Sequence, residues 1–83
     1  MDRETAIIRT LYVKAKKLHK EKLWKDSIDF ILNTQEIWFD YYEACYFLLL
    51  LGRNYLQLQD FERAERSLLE SLTIDFYNLK ALD

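Results

Sequence analysis

One histidine, His19, and one cysteine, Cys45, are the side chains of this sequence with the widest chemical range. Zinc needs several such ligands in closely spaced pairs. These two stand 26 residues apart with no second pair, so no metal site is expected. A reactive thiol needs an electropositive, accessible setting. Cys45 opens the apolar run "CYFLLLLG" and reads as a core filler. His19 closes a basic stretch, where it either answers the dipole at a helix C-terminus or lines a groove. A single glycine leaves no phosphate-cradling loop. Carboxylates fall at salt-bridge spacing from bases, as Glu62 does from Arg66, which is the pattern of solvated helix faces. The chain therefore reads as non-enzymatic, with no catalytic residues and no cofactor.

Eighty-three residues make at most one domain, with a modest core. Half the chain is apolar and 16% aromatic, which excludes a disordered tail. With no proline and one glycine, the usual punctuation of sandwiches and barrels is missing, which favours helices joined by tight polar turns. The longest purely apolar run, residues 46–51, is far short of the ~20 needed to cross a bilayer. The charged opening "MDRETAIIRT" lacks the apolar core of a signal peptide. With one cysteine there is no internal disulfide, so a cytoplasmic or nuclear setting is expected. The net charge of −2 is unevenly spread: residues 1–25 carry +5 and residues 26–83 carry −7. Solvated faces account for such a split, as does a basic surface meeting an acidic partner segment.

Helical spacing predicts four segments, at about 3–20, 23–37, 41–58 and 60–74, with Asp60 as N-cap of the last. The links near Glu21–Lys22 and Gln59–Asp60 are short enough to force two antiparallel hairpins. A shift of 37 residues sets Leu11 on Leu48, Ala15 on Gly52, Leu18 on Tyr55, Trp24 on Phe61, Ser27 on Ala64, Ile31 on Leu68 and Thr34 on Ser71. Small residues meet small and large meet large, so the two hairpins are one unit repeated. Glycine inside a helix costs roughly 1 kcal/mol relative to alanine. Gly52 offsets this if it lets two helices approach at Ala64, with Leu48, Leu51, Tyr55, Phe61 and Leu68 closing around the contact.

The stretch "LLLLGRNYLQLQDFERAERSLLESLTIDFYN" resembles a tetratricopeptide repeat. The family's large, Leu-Gly, Tyr, aromatic, Ala, large and small positions would be Leu48, Leu51-Gly52, Tyr55, Phe61, Ala64, Leu68 and Ser71. Leu48 stands where tryptophan is common, and Phe76 where proline usually closes the repeat. The first copy, supported by "LWKDSIDFILNT", has Ala15 for the glycine and Leu18 for the tyrosine. The resemblance implies an all-α fold of stacked antiparallel helix hairpins, an α-solenoid fragment. Its parts would be a degenerate repeat at 3–40, a second at 41–78 and the truncated start of a further one at 79–83. The family period is about 34 residues. The extra length here is expected between the hairpins, in "IWFDYYEA". The chain then reads as the N-terminal end of a longer array.

In that family the concave groove binds peptide segments. Its lining here would be Arg9, Tyr12, Lys16 and Lys20 on the first helix and Tyr42, Tyr46, Leu49, Arg53 and Leu56 on the third. Tyrosine and arginine are enriched at interface hot spots, although packing on the first hairpin would also account for the aromatic members. The expected role is a non-enzymatic scaffold for a protein or peptide partner, of acidic character if the basic edge is used. A homodimerising N-terminal segment of a large assembly, as in ubiquitin-ligase-type subunits of the family, is the alternative. The lysine-grip positions of chaperone-binding members fall on Tyr12, Lys16 and Leu50, which breaks that pattern. RNA binding by Lys14, Lys16, Lys17, Lys20, Lys22 and Lys25 with Tyr12 is disfavoured, because the lysines ring the helix and the rest of the chain is acidic.

Overall fold

A computed structural model describes residues 3–82, with side chains through residue 74. The described residues are all-helical: α1 (Arg3–Lys20), α2 (Trp24–Asn33), α3 (Gln35–Trp38), α4 (Ala44–Gln57) and α5 (Phe61–Leu82). α1 pairs with α2 and α4 with α5, and α4 lies across both α2 and α1. The first helix takes the expected bounds. The second does not run through to residue 37. The Thr34 hydroxyl donates to the Phe30 and Ile31 carbonyls at 2.8 and 3.1 Å. The Trp38 indole N–H donates to the Ile31 carbonyl at 3.1 Å and to the Thr34 hydroxyl at 3.2 Å. Side chains thus take up the orphan carbonyls of the last turn, and the chain restarts as the short α3. The last helix was expected to end near residue 74 but continues to Leu82, with no glycine or proline after Ile74 to stop it. Asp60 does cap α5: its carboxylate accepts the Arg63 backbone N–H at 3.3 Å.

The turns of the two hairpins make the same backbone bonds. Among the described residues, Lys22 and Gln59 are the non-glycine residues with positive φ, at 64° and 61°. Each closes a helix through the same bonds. Lys22 N–H donates to the His19 carbonyl and Gln59 N–H to that of Leu56, both at 3.0 Å. Leu23 N–H reaches the Leu18 carbonyl at 3.0 Å, and Asp60 N–H that of Tyr55 at 2.9 Å. The next helix then starts alike, with Ser27 N–H on the Leu23 carbonyl at 2.9 Å and Ala64 N–H on that of Asp60 at 3.0 Å. Every pair is offset by the shift that aligned the side chains. The close contacts match too: the buried Ser27 hydroxyl donates to the Ala15 carbonyl at 2.9 Å, twelve residues away. In the second hairpin Gly52 lies against the Ala64 carbonyl, where an added Cβ would come within 3.3 Å.

That Cβ would also come within 2.7 Å of the Leu68 side chain, so Leu68, more than the Ala64 methyl, is what requires glycine at position 52. Phe61 does not join this contact as expected; it starts α5 with 64% of its surface exposed. The core is Ile8, Ala15, Ile28 and Ile31 from the first hairpin, Trp38, and Ala44, Phe47, Leu48, Leu50 and Leu51 from α4. Trp38 lies in the stretch where the extra length was expected. It is fully buried and stacks on Phe47 with centroids 4.7 Å apart and planes 1° from parallel. The four leucines split as α4's surroundings dictate: Leu48, Leu50 and Leu51 are buried and Leu49 is half-buried.

A polar chain, fully buried at Ser27 and Asn54, ties the hairpins together. The Asn54 amide donates to the Ser27 hydroxyl at 2.8 Å and accepts from His19 Nδ1 at 2.8 Å. His19 also sets its ring edge against Trp24, with centroids 4.9 Å apart. His19 stands in the last turn of α1, as expected, and also bonds across to α4. It belongs to the joint between the hairpins.

Two predictions follow from this geometry. Gly52→Ala should lose about 1–2 kcal/mol to overpacking, even after gaining roughly 1 kcal/mol of helix propensity. In a Leu68→Ala background that overpacking is relieved, so the same change should be neutral to stabilising by up to about 1 kcal/mol, as read from urea midpoints; equal losses in both backgrounds would contradict the close approach. Left-handed backbone disfavours residues with a Cβ, so Lys22→Gly and Gln59→Gly should each raise stability by about 0.5–1 kcal/mol in the same assay.

Candidate functional site

Residues 8, 9, 12 and 13 share one stripe of α1, and residues 42, 43 and 46 share the turn before α4 and its first turn. Where these stripes meet they enclose an open cleft of about 510 Å³, lined by Ile8, Arg9, Tyr12, Val13, Tyr42, Glu43 and Tyr46. Ile8 is fully buried beneath it. Tyr12 is held by aromatic contacts on two sides: edge-on to Phe47 at 5.5 Å and tilted against Tyr46 at 6.1 Å. Tyr46 in turn meets Tyr42 edge-to-face at 5.8 Å. Such pairs add about 0.5–1.5 kcal/mol beyond simple burial. Tyr42 and Tyr46 nevertheless stay 40% and 45% exposed, so their ring faces are offered to whatever enters.

A second cleft of about 410 Å³ lies on the other side of the Tyr42–Tyr46 ridge, between α4 and α5. It is lined by Tyr42, Cys45, Tyr46, Leu49, Leu68, Ser71 and Leu72. The Ser71 hydroxyl anchors α5 beneath it, donating to the Cys45 carbonyl at 2.6 Å.

The expected groove residues thus separate. Arg9, Tyr12, Tyr42 and Tyr46 converge on the first cleft, and Leu49 lies in the second beside Tyr42 and Tyr46. Lys16, Lys20, Arg53 and Leu56 line neither. Arg53 is still within electrostatic reach of Tyr12. Ile8, Val13 and Glu43 also line the first cleft and were not among the expected groove residues. Glu43 was detectable, since it adjoins Tyr42 and precedes Tyr46 by three residues. Its presence opposite Arg9 gives the cleft both signs of charge. Among the described residues no cluster of three or more His, Cys, Asp or Glu could hold a metal ion, and no helix is long and apolar enough to cross a membrane.

Burial raises the Tyr12 hydroxyl above the ordinary tyrosine pKa of 10.0; the Arg53 guanidinium opposes this, and Tyr46 and Cys45 add to it. No protein-family model matches the chain, and no curated protein or solved structure is significantly similar to it.

The folded chain holds the Tyr12 proton more tightly than the unfolded one does. Its contribution to stability is therefore complete below the unfolded value of 10.0 and is lost as pH rises through the higher folded value. In an absorbance titration of the phenolates, Tyr12 should ionise in a late phase. Tyr12→Phe should remove that phase and Arg53→Ala should move it to still higher pH; a phase indifferent to Arg53→Ala would contradict the pairing.

Proposed function

We propose that the chain is a non-enzymatic scaffold of the tetratricopeptide kind, which binds an extended or helical segment of a partner protein along the α1–α4 cleft. The observation that carries this reading is the convergence of Tyr12, Tyr42 and Tyr46 with Arg9 and Glu43 in one open cleft, floored by a buried isoleucine. Tyrosine supplies a large amphipathic contact area at little cost in side-chain entropy, and arginine is its usual companion at binding hot spots. The duplicated turns and helix contacts support the helical-repeat reading. The aromatic wall is apolar enough for leucine- or aromatic-bearing segments. The two opposed charges fix direction, with Arg9 drawing an acidic residue and Glu43 a basic one. A reducing compartment, cytoplasm or nucleus, goes with a single buried cysteine.

Selection of a displayed random peptide library on the whole chain tests this. Enriched peptides should bind in the micromolar range and shift the NMR signals of Tyr12, Tyr42 and Tyr46. Tyr46→Ala should weaken them at least about tenfold, or roughly 1.4 kcal/mol. Arg9→Glu should reverse the charge preference at one end. Failure to enrich any peptide over a Tyr42→Ala/Tyr46→Ala control would refute the reading.

A further inference from the structure

We infer that the open face of the second hairpin receives α1 of a second copy of this chain, in a head-to-tail stack. The molecule contains its own template for such a contact. The first hairpin is covered by α4: Asn54 reaches Ser27 and His19, while Phe47 meets Tyr12 and stacks on Trp38. Beneath this cover Ile8 and Ile31 are fully buried and Ile28 nearly so. The corresponding residues of the second hairpin are Cys45, Leu68 and Glu65. Cys45 and Leu68 line the α4–α5 cleft together with Leu72, which is 63% exposed. The same shift that superposes the hairpins thus equates a covered surface with one that is only partly covered, since Cys45 is buried, Leu68 half-buried and Leu72 exposed.

The element that covers the first hairpin is α4, and its equivalent in the repeat is α1. The covering residues Phe47, Leu50 and Asn54 correspond to Thr10, Val13 and Lys17, all three exposed. Charge selects α1 as the occupant. Asn54 seats on Ser27, the neighbour of Ile28. In a stack of two copies Lys17 takes the place of Asn54, and Glu65 takes that of Ile28. An amide beside an apolar residue inside the chain becomes a lysine beside a glutamate between chains. The same polarity holds on a larger scale, +5 over residues 1–25 against −7 over residues 26–83. Donor and acceptor are different surfaces, so the contact is heterologous and does not close on itself. It rests on the duplicated geometry and the charge split rather than on peptide binding, although Val13 also lines the α1–α4 cleft.

Sedimentation equilibrium of the whole chain, from low-micromolar to millimolar concentration, tests it. The mean mass should climb past two protomers and fall as salt is added, because the opposed charges are exposed. Thr10→Glu spoils the donor and Leu72→Glu the acceptor; both positions are exposed, so circular dichroism should show each variant folded. Each alone should associate at least about tenfold more weakly. Mixed in equal amounts, they should form a species that stops at two chains, since one donor and one acceptor remain intact. A wild-type monomer throughout would overturn the inference, and so would a wild-type dimer that stops at two or a mixture that stays monomeric.

Discussion

Everything in this fold depends on how closely α4 can lie against α5. Position 52 sits where the Leu68 side chain and the Ala64 carbonyl leave no space for another carbon. That lets Leu48 and Leu51 reach burial from a helix whose other sides are also in use. α4 has to be apolar nearly all round, because it packs against α1, α2 and α5. A run of four leucines ending in glycine is what such a central position demands. The first hairpin meets the same need more loosely, with Ala15 and a serine hydroxyl on its carbonyl.

Apolar contact brings the hairpins together, and a buried polar chain fixes their register. Asn54 is fully buried and makes one bond through each end of its amide. No buried side-chain nitrogen or oxygen among the described residues lacks a hydrogen-bond partner. Sliding α4 by a turn would leave the Asn54 amide unsatisfied, at about 1–3 kcal/mol, while Ser27 would keep its bond to the Ala15 carbonyl. The leucines alone would tolerate such a slide far better.

Much of this was legible in the chain. The helix-turn-helix units and their offset could be read because small and large residues alternate on a fixed period, and the turns obey the same offset without any glycine to announce them. The break between α2 and α3 was not legible. It depends on Thr34 and Trp38 competing for carbonyls, and Trp38 turns inward only because Phe47 arrives from elsewhere in the chain. The length of α5 was misjudged because a repeat boundary was assumed where no helix-breaking residue stands. At the site, the tyrosines and Arg9 could be placed from helical spacing. Spacing alone extended the same stripe to Lys16, Lys20, Arg53 and Leu56, whereas the cleft occupies only the middle of α1, at residues 8–13, and the turn before α4 with its first turn, at residues 42–46.

The two tryptophans fall on different boundaries. Trp24 meets the edge of His19 within the first hairpin, whereas Trp38 lies flat on Phe47 at the seam between the two. Indole emission depends on local polarity and on nearby quenchers, so the chain carries two optical gauges with separate duties. Light from Trp38 follows the parting of one hairpin from the other, and light from Trp24 follows the fraying of the first hairpin itself. Replacing either indole by phenylalanine would let the order of those two events be watched without attaching a dye.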